Sequence, residues 1–458
     1  MIFELLRDYA KREPGRLFLR NEPVTAREAF ERCCHIARSL AALNSPRIYF
    51  YAADSIDLVL CLIASQAVDL EVCVLNRSFK TTEIQAILER LGKGALVVDA
   101  PLEIPDAAVH QLASVVAFSH SEPVSDEADS DDKGAIIILT TGTTGVPKAA
   151  KHKWKRLLAR PGRQRQGEKD RHSWLLAYPL NHFAGIQVVL HVLQNHETLV
   201  IPSSRDYGRI ITTIIEQGVD SVSGTPTFWR MMVGRIGSDQ LARLQLRQIT
   251  VGGEASTPDL LERLKSKFPA ASITQVYATT ELGTCFSVKD GLPGFPASYL
   301  DRPVGNVQLK IIDGELYVRS AVKMIAYVDG SPPPEAREDW TATGDTVDQV
   351  GDRVLFRGRK TEIINVGGVK VHPLKVEETL LRVPGVAAAR AYGRANPVTG
   401  QIVACDLELE SDAKETAVRE AVQKTCLAEL NRYEQPRQIA IVGQLEKRNE
   451  KLVRRGSA

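Results

Sequence analysis

A run of hydroxyl-bearing residues and glycines, closed by a lysine, occupies residues 140–148. Gly142 and Gly145 let the backbone approach a ligand closely, and Lys148 adds a cation. The hydroxyls come from Thr140, Thr141, Thr143 and Thr144. Hydroxyls and a lysine suit phosphate oxygens, so the run predicts a phosphate-binding loop rather than an ordinary glycine turn. Because two residues separate Gly145 from Lys148, the spacing excludes the G-x-x-x-x-G-K-[ST] loop of P-loop kinases and ATPases.

The loop follows a short apolar run at residues 135–139, which predicts a buried strand. The chain before it alternates between helix and strand patterns. We predict a helix over residues 25–43, a strand over 47–52 and a helix over 56–68. Such alternation is typical of α/β layering. The acidic segment 119–133 has no apolar periodicity and is predicted to be an exposed loop.

The C-terminal part of the chain follows a different pattern. Strand patterns at residues 314–320 and 353–357 predict a β-rich section that ends at Gly358 and Arg359. From residue 362 onward, we predict a helix over 374–383, a strand near 403–409, a helix over 413–430 and a strand over 438–442. The fold is therefore predicted as a large N-terminal α/β domain of layered sheets and helices with a β-rich subdomain, plus a small α+β C-terminal domain.

Composition limits the possible classes of protein. At 458 residues the chain exceeds what one hydrophobic core usually supports, so more than one domain is expected. The formal net charge of +2 gives no electrostatic case for a nucleic-acid or membrane partner. The seven cysteines are scattered and include no C-x-x-C pair, so we expect reduced thiols. The mixed charges near the N-terminus and the lack of a long apolar run predict a cytoplasmic protein without a membrane span.

Further motifs follow the loop in order. They occupy residues 179–185, 252–254, 277–281, 314–317 and 343–345, and the pair at 358–359 leads into residues 364–371. With the loop, this series resembles the adenylate-forming superfamily of acyl-CoA synthetases, peptide-synthetase adenylation domains and luciferases. It is most similar to the acyl- or aryl-CoA ligases. A series that spans most of the chain is far more specific than one loop.

The resemblance implies roles for the residues that match these motifs. Glu281 would hold Mg²⁺, Thr280 would contact the α-phosphate of ATP, and Tyr277 would stack near the adenine. Asp345 would bind the ribose hydroxyls, with Arg359 nearby. A carboxylate is a hard oxygen ligand for Mg²⁺ and can also accept hydrogen bonds from two hydroxyls. The implied nucleotide-binding set also includes Gly253 and Glu254.

The end of the chain departs from the family pattern. Residues 445–454 stand where the family generally has Leu-Pro-x-Thr-x-x-Gly-Lys-x-x-Arg, but they lack the proline and the glycine and are one residue shorter. Lys451 precedes an apolar pair and an arginine, so it is our candidate for the catalytic lysine that neutralises charge at the α-phosphate. Lys447 is the alternative, and a solvated surface lysine in a basic tail is the other interpretation.

The resemblance also implies a rotation of the small C-terminal domain about a residue just after the Gly-Arg pair, here Thr361. The predicted division is an N-terminal adenylation core at 1–358, a hinge at 359–361 and a mobile AMP-binding-type domain at 362–458. After rotation, Gly367 and Gly368 would line a tunnel for a thiol. The family commonly has Asp or Lys at the hinge, but a hinge needs suitable backbone angles more than a charge. A simple interdomain linker is the alternative.

A mainly apolar acyl pocket is implied at His182, Phe183, Gly253 and Ala278. Amino-acid-activating relatives usually place an Asp near the position of His182 to pair with the substrate ammonium, and residues 181–185 contain none. We therefore expect a carboxylic acid without an α-amine. Aryl, aryl-acrylic and short-to-medium aliphatic acids all stay open.

The predicted function is ATP-dependent activation of a non-amino carboxylic acid to an acyl-adenylate, with release of pyrophosphate and later transfer of the acyl group to a thiol. The expected acceptor is coenzyme A, and the phosphopantetheine arm of an acyl-carrier protein is the alternative. The basic stretch at residues 151–171 is either a docking site for one of these anionic acceptors or a solvated surface. A catalytically impaired protein that binds nucleotide or acyl-adenylate is the alternative of another class. The near-neutral net charge argues against a nucleic-acid-binding protein.

Overall fold

The structure is a computed structural model that describes residues 1–117, 133–140, 147–158, 171–410, 413–445, 447–448 and 451–452. The chain divides into two compact units, each built from separate segments. The first unit contains Met1–Ser223, Thr279–Thr284 and Ala321–Pro333, and the second contains Gly224–Ala278, Cys285–Ser320 and Pro334–Ala458. The domain division at residues 359–361 stays a prediction.

A largely parallel sheet of the first unit contains the strands on either side of the predicted phosphate loop. Its spatial order is Ala326–Tyr327, Lys148–Lys153, Ala135–Thr140, Glu71–Val74, Arg47–Tyr51, Ala95–Val98 and Ala108–Gln111. Lys148–Lys153 is antiparallel to both of its neighbours, whereas the strands from Ala135–Thr140 onward are parallel. Ile137 and Leu139 are buried in one core with Ile84 and Leu88 of the neighbouring helix Thr81–Leu91. Burial of five consecutive strand residues explains the apolar run at 135–139.

A second sheet in the first unit contains Ser221–Gly224, Ser173–Leu175, Thr198–Val200, Leu17–Leu19 and Val24–Thr25, in that order. The helices within the described residues of this unit are Ile2–Arg12, Ala26–Ala42, Ile56–Ala67, Thr81–Leu91, Leu112–Val116, Trp154–Leu157, Phe183–Asn195 and Tyr207–Glu216. Helix Ala26–Ala42 begins with a capping box, in which the Thr25 and Glu28 side chains each accept a hydrogen bond from the other's backbone N–H. It lies within one residue of the prediction at both ends.

The second unit contains the β-rich section that the sequence predicts. Its antiparallel sheet has the order Phe295–Pro296, Arg353–Arg359, Trp340–Val350, Glu315–Ser320 and Val307–Ile312, with Ala336–Arg337 paired to Trp340–Val350. Gln248–Gly252 and Ser272–Thr279 form a parallel pair, and the chain continues into the strand Gly283–Val288. Helices Pro226–Arg235, Ser238–Arg243 and Pro258–Lys267 and the short 3₁₀ helices Ala297–Tyr299 and Lys360–Glu362 complete this section.

The last part of the second unit is a sheet packed against two helices. The strand order is Val369–Val371, Ile364–Val366, Gly400–Leu409 and Val386–Asn396, with Gln438–Ile441 parallel to Gly400–Leu409. Helices Pro373–Leu381 and Glu415–Glu429 contribute Val376, Leu380, Val418 and Val422 to one apolar core. The strand Val386–Asn396 was not predicted, because its alanines and arginines have weak strand propensity. A final hairpin pairs Lys447–Arg448 with Lys451–Leu452.

The predicted α/β fold class is confirmed by these sheets and helices. All seven cysteines are free thiols. Across the described ranges, no helix combines the length and the apolarity that crossing a membrane requires. The acidic segment predicted to be an exposed loop lies outside the described residues, apart from Lys133. The mobility of the C-terminal domain stays a prediction.

Candidate active site

The two ends of the predicted phosphate loop are held together by strand pairing. Thr140 lies directly opposite Lys148 in the antiparallel pair, and the Thr140 hydroxyl donates to the Lys148 carbonyl at 3.5 Å. The loop therefore connects two adjacent strands. The remaining predicted loop residues, Thr141, Gly142, Thr143, Thr144 and Gly145, lie outside the described residues.

Thr280 and Glu281 form a turn in the first unit, just after a strand that ends at Thr279. The backbone N–H of Met324 donates to the Glu281 carbonyl at 2.7 Å. The Tyr327 hydroxyl donates to Oε1 of the Glu281 carboxylate at 2.8 Å. Burial, with the Glu281 carboxylate nearby, raises the pKa of Tyr327, so this hydroxyl stays protonated and remains a donor. Both the backbone and the carboxylate of Glu281 are thus fixed in place.

His152 contacts the same turn from the strand Lys148–Lys153, and sequence reasoning missed it. Its Nε2 lies 2.7 Å from the Thr280 carbonyl, and because a carbonyl only accepts hydrogen bonds, Nε2 must carry the proton. The side chain is fully buried, and this burial lowers the pKa of His152 to about 4. The imidazole is therefore neutral at neutral pH. The available signal was a histidine four residues after Lys148, on the same face of a strand.

In the second unit, Tyr277, Asp345 and Arg359 form one cluster. The Tyr277 hydroxyl donates to Asp345 Oδ2 at 2.6 Å, and Arg359 Nε lies 2.8 Å from Asp345 Oδ1. Asp345 and Arg359 are also paired across adjacent strands. Burial and the Asp345 carboxylate raise the pKa of Tyr277 well above its usual range. The tyrosine ring stacks on Phe286 and Phe356, at centroid distances of 5.1 and 5.0 Å.

The carboxylate of Glu315 joins two sequence motifs in this unit. Oε1 accepts the backbone N–H of Gly344 at 3.0 Å, and Oε2 accepts Lys360 Nζ at 2.9 Å. Gly344 has a φ of +75°, a left-handed conformation that side chains other than glycine rarely adopt. Glu315 therefore fixes the backbone directly before Asp345, a link that the sequence did not reveal.

Gly253 and Glu254 follow the strand Gln248–Gly252 in the second unit. Glu254 Oε2 accepts hydrogen bonds from the backbone N–H of Thr227 at 3.1 Å and from its hydroxyl at 2.7 Å. A carboxylate at this position stabilises the first turn of helix Pro226–Arg235. The predicted role of Glu254 in nucleotide binding stays a prediction beside this structural one.

His182 and Phe183 begin a helix in the first unit, with His182 as the N-cap residue of Phe183–Asn195. Phe183 is buried, and its ring lies 6.0 Å from that of His152. Gly185 is required here, because a Cβ would approach the Pro179 carbonyl oxygen to 2.2 Å. Gly253 and Ala278 belong to the second unit, so the acyl pocket assigned to these four residues stays a prediction.

Comparison with known proteins adds to this geometry. The family model described as AMP-binding enzyme matches residues 6–327, and the model of the AMP-binding enzyme C-terminal domain matches residues 375–451. The chain belongs to the AMP-binding enzyme family. The resemblance inferred from the motifs is therefore confirmed, as is the expectation that the chain is an enzyme.

Three proteins illustrate what this AMP-binding enzyme is similar to. The 2-succinylbenzoate–CoA ligase of Lactococcus lactis is 24% identical over 462 residues, covering 96% of both chains. The o-succinylbenzoate CoA synthetase of Bacillus subtilis, solved with its acyl-adenylate, has a TM-score of 0.79 at 21% identity, covering 98% of this chain and 96% of that one. The same synthetase is also known with ATP and a magnesium ion. An anthranilate CoA ligase bound to anthranoyl-AMP has a TM-score of 0.84 at 18% identity, covering 99% and 95%.

Glu281 suits the magnesium site that the family implies. Mg²⁺ is usually bound by one or two carboxylates together with substrate phosphates and water, rather than by a cage of protein ligands. Within the described ranges, no group of three or more His, Cys, Asp or Glu residues could hold a metal. A single oriented carboxylate such as Glu281 matches this mode of binding.

The predicted hinge and tunnel residues of this AMP-binding enzyme lie in short, exposed elements. Thr361 lies in the 3₁₀ helix Lys360–Glu362. Gly367 and Gly368 form the two-residue turn between paired Val366 and Val369, with φ angles of +59° and +90°. Positive φ at both positions is the requirement of a type I′ hairpin turn, which explains the glycine pair. Rotation at Thr361 and the tunnel stay predictions.

The two candidate catalytic lysines lie on opposing strands of one hairpin. Lys447 is paired with Leu452, and Lys451 with Arg448. The choice between the two lysines stays a prediction.

Much of the described part of the basic stretch 151–171 has structural partners in the first unit. Lys151 pairs with Glu71, and Arg171 pairs with Glu13. Arg156 donates to the Lys323 carbonyl at 2.9 Å. These contacts give the described basic residues a role in the fold. Residues 159–170 lie outside the described ranges, and docking of an acceptor stays a prediction.

Proposed function

We propose that this chain is an AMP-forming acid–CoA ligase that joins an aromatic carboxylic acid to coenzyme A. The observation that carries the proposal is similarity along nearly the whole chain to acid–CoA ligases, together with matches to both AMP-binding family models. The departure of residues 445–454 from the family pattern does not by itself favour a non-catalytic protein, since this segment retains a lysine, Lys451.

In the first half-reaction, a carboxylate oxygen of the acid attacks the α-phosphorus of ATP, and the bond to pyrophosphate breaks. Catalysis of this kind depends on positioning and on neutralising charge. Thr280 and the loop threonines would hold phosphate oxygens, while Lys148 and Lys451 would supply positive charge. A magnesium ion on Glu281 would offset the charge of the triphosphate. Asp345 would hold the ribose, since a carboxylate has lone pairs beyond those used by Tyr277 and Arg359.

In the second half-reaction, the thiolate of coenzyme A attacks the acyl carbon, the bond to AMP breaks, and the thiol proton passes to solvent. The C-terminal domain would turn at Thr361 and bring Gly367 and Gly368 to the thiol. Two adjacent glycines leave room beside the backbone for a narrow pantetheine arm. The protein would need no nucleophile of its own.

The substrate class is proposed from the relatives. The named acids, 2-succinylbenzoate and anthranilate, both carry an aromatic ring. An apolar pocket that includes Phe183 and Ala278 would suit such a ring, and the absence of an Asp in residues 181–185 fits an acid without an α-ammonium group. We therefore expect aryl acids to be adenylated in preference to α-amino acids.

The test is hydroxamate-trapped adenylation of an acid library by the wild-type chain, Lys451→Ala and Lys447→Ala. Each active acid is then offered coenzyme A or a phosphopantetheinylated carrier protein. We expect aryl acids to react, Lys451→Ala to lose adenylation, and coenzyme A to be the better acceptor. Loss of activity in Lys447→Ala alone would move the catalytic role to that lysine. Failure to adenylate any acid would contradict the proposal and favour a nucleotide-binding protein.

A further inference from the structure

We propose that Tyr327 and His152 are positioning residues, which fix the turn at Thr280 and Glu281 so that the Glu281 carboxylate faces a metal–nucleotide complex. This inference rests on the proposed function, because it takes Glu281 as the magnesium ligand. It adds two residues to the site that none of the sequence motifs contains. Both act through other groups rather than on the substrate.

Strand geometry brings these side chains to one face of a sheet. Lys148, Ala150 and His152 alternate along the strand Lys148–Lys153, so they share a face. Tyr327 lies directly opposite Ala150 in the antiparallel pair, and side chains of directly paired residues lie on the same face. Lys148, His152 and Tyr327 therefore project from the same face of adjacent strands.

Burial of His152 is not explained by stability of the fold alone. Its side chain is fully buried, and its one hydrogen bond among the described residues runs from Nε2 to the Thr280 carbonyl at 2.7 Å. Nδ1 is buried and has no hydrogen-bond partner in the described part of the chain. Burying an unsatisfied ring nitrogen is costly, whereas an apolar residue would fill the same space without that cost. The feature that an apolar residue could not supply is the Nε2–H donor to the Thr280 carbonyl.

Tyr327 orients the carboxylate without cancelling its charge. Its hydroxyl is a neutral donor at 2.8 Å from Glu281 Oε1, so the carboxylate keeps its negative charge for a cation. Lys148 Nζ lies 5.0 Å from the centroid of the same ring, within the range of a cation–π contact. One aromatic ring thus sets the position of the predicted metal ligand and that of a predicted phosphate-binding cation.

Together these contacts hold the turn at three different points. His152 binds the Thr280 carbonyl, the Met324 N–H binds the Glu281 carbonyl at 2.7 Å, and Tyr327 binds the Glu281 side chain. Groups that orient a metal ligand from behind typically change metal affinity or activity by about 10–100-fold when they are removed. We therefore expect metal affinity, rather than folding, to report their loss.

The experiment measures binding of the Mn²⁺ complex of α,β-methylene-ATP to the full-length chain, with protein-bound Mn²⁺ read by water-proton relaxation and the metal-free nucleotide as the reference. This nucleotide cannot be cleaved at the α-phosphorus, so the readout is binding and not turnover. We expect Tyr327→Phe to raise the Mn²⁺ dissociation constant about 10–100-fold. His152→Leu should also weaken binding, and His152→Gln, which restores an N–H donor, should recover most of the loss.

Tyr392→Phe is the matched control, since the Tyr392 hydroxyl donates to a carboxylate oxygen of Asp406 at 3.2 Å in another part of the fold. It should leave Mn²⁺ binding unchanged. Glu281→Gln calibrates the loss of the ligand itself, and the melting temperature of each variant reports folding. Should His152→Leu fail to fold, Tyr327→Phe decides the question.

A Tyr327→Phe variant that binds Mn²⁺ as tightly as the wild type, while Glu281→Gln binds it weakly, would overturn this inference and leave the proposed function intact. A wild-type chain that binds no metal–nucleotide complex would overturn both. Weakened binding in Tyr327→Phe with an unchanged melting temperature supports the inference.

Discussion

Two carboxylates of this enzyme are held in different ways. Glu281, in the first unit, accepts a hydrogen bond from the neutral hydroxyl of Tyr327. Asp345, in the second unit, is bound by the hydroxyl of Tyr277 and also by the guanidinium of Arg359. The difference is one of charge. Glu281 is oriented but keeps its charge for a cation, whereas the charge of Asp345 is already balanced and its remaining lone pairs suit neutral hydroxyls.

The largest expected effect comes from removing the charge of Glu281. Glu281→Gln keeps the shape of the side chain and an acceptor for Tyr327, but it loses the negative charge. We expect ATP–pyrophosphate exchange to fall by about 10²–10³-fold, as for other groups that stabilise charge in a reaction. The assay is run at saturating magnesium with an acid that the wild type accepts. An equal fall in Asp345→Asn would remove the contrast between the two carboxylates.

The second-largest effect is a pH dependence of the free energy of unfolding, caused by the buried His152 beside the Thr280–Glu281 turn. The pKa of His152 is lowered to about 4, mainly by burial; the Glu281 carboxylate opposes this shift and the Arg156 cation adds to it. An unfolded histidine titrates near 6.5. Below pH 6.5 the unfolded chain therefore binds a proton that the folded chain excludes, and the free energy of unfolding falls until the pH approaches 4. At pH 5 we expect a loss of about 2 kcal/mol from this residue.

The measurement is urea unfolding at pH 7 and pH 5 for the wild type and for His152→Gln, which cannot titrate at this position. The variant should lose less stability between the two pH values. Identical pH dependence in both proteins would contradict the buried, neutral state of His152.

The sequence predicted local features of the structure but not the contacts between residues that are far apart in the chain. Local signals were sufficient for helix Ala26–Ala42, because its apolar residues recur at a spacing of three and four within the helix itself. The motifs identified Glu281 and Asp345 as candidate residues. The partners of the Thr280–Glu281 turn could not be predicted, since Tyr327 is 46 residues from Glu281 and His152 is 128 residues from Thr280. Such contacts depend on the order of strands in a sheet, which hydrophobic periodicity does not encode.

Tyr277 shows a second limit of sequence reasoning. The motif led to a prediction that its ring stacks near the adenine. The structure shows the ring packed on Phe286 and Phe356, with the hydroxyl on Asp345, 68 residues away. Adenine stacking stays a prediction. The positioning of Asp345 by Tyr277 could not have been inferred from a motif that contains only one of the two.

A smaller effect is expected at the ribose site. Asp345→Asn should retain the hydrogen bond with Tyr277 but lose the ion pair with Arg359, which tilts the side chain away from the ribose hydroxyls. We expect the KM for ATP to rise about 10-fold, equivalent to one charge-assisted hydrogen bond. At saturating nucleotide, Mn²⁺ affinity should not change, because this carboxylate is not the predicted metal ligand.

Asp348→Asn is the matched control for this change. Asp348 lies on the same strand as Asp345 and pairs with Arg357 on the same neighbouring strand, at 2.8 Å, but its side chain is 61% exposed. Exposed ion pairs contribute little, so the KM for ATP should stay at the wild-type value. A similar rise in the KM for ATP in both variants would mean that the effect of Asp345→Asn comes from a general loss of negative charge and not from the ribose site.

The smallest effect should separate the thiol step from both carboxylates, which are predicted to act in adenylation. Gly368→Ala adds one methyl group at a φ of +90°, where the turn has open space, and the strain should cost about 1 kcal/mol. Gly351→Ala makes the same change in the hairpin joining Trp340–Val350 to Arg353–Arg359, at a φ of +59° and also in open space. If Gly368 lines the thiol tunnel, its variant alone should slow the transfer of a preformed acyl-adenylate to coenzyme A, a few-fold, while pyrophosphate exchange stays normal. Equal rates in the two alanine variants would mean that the glycine pair serves only the hairpin turn.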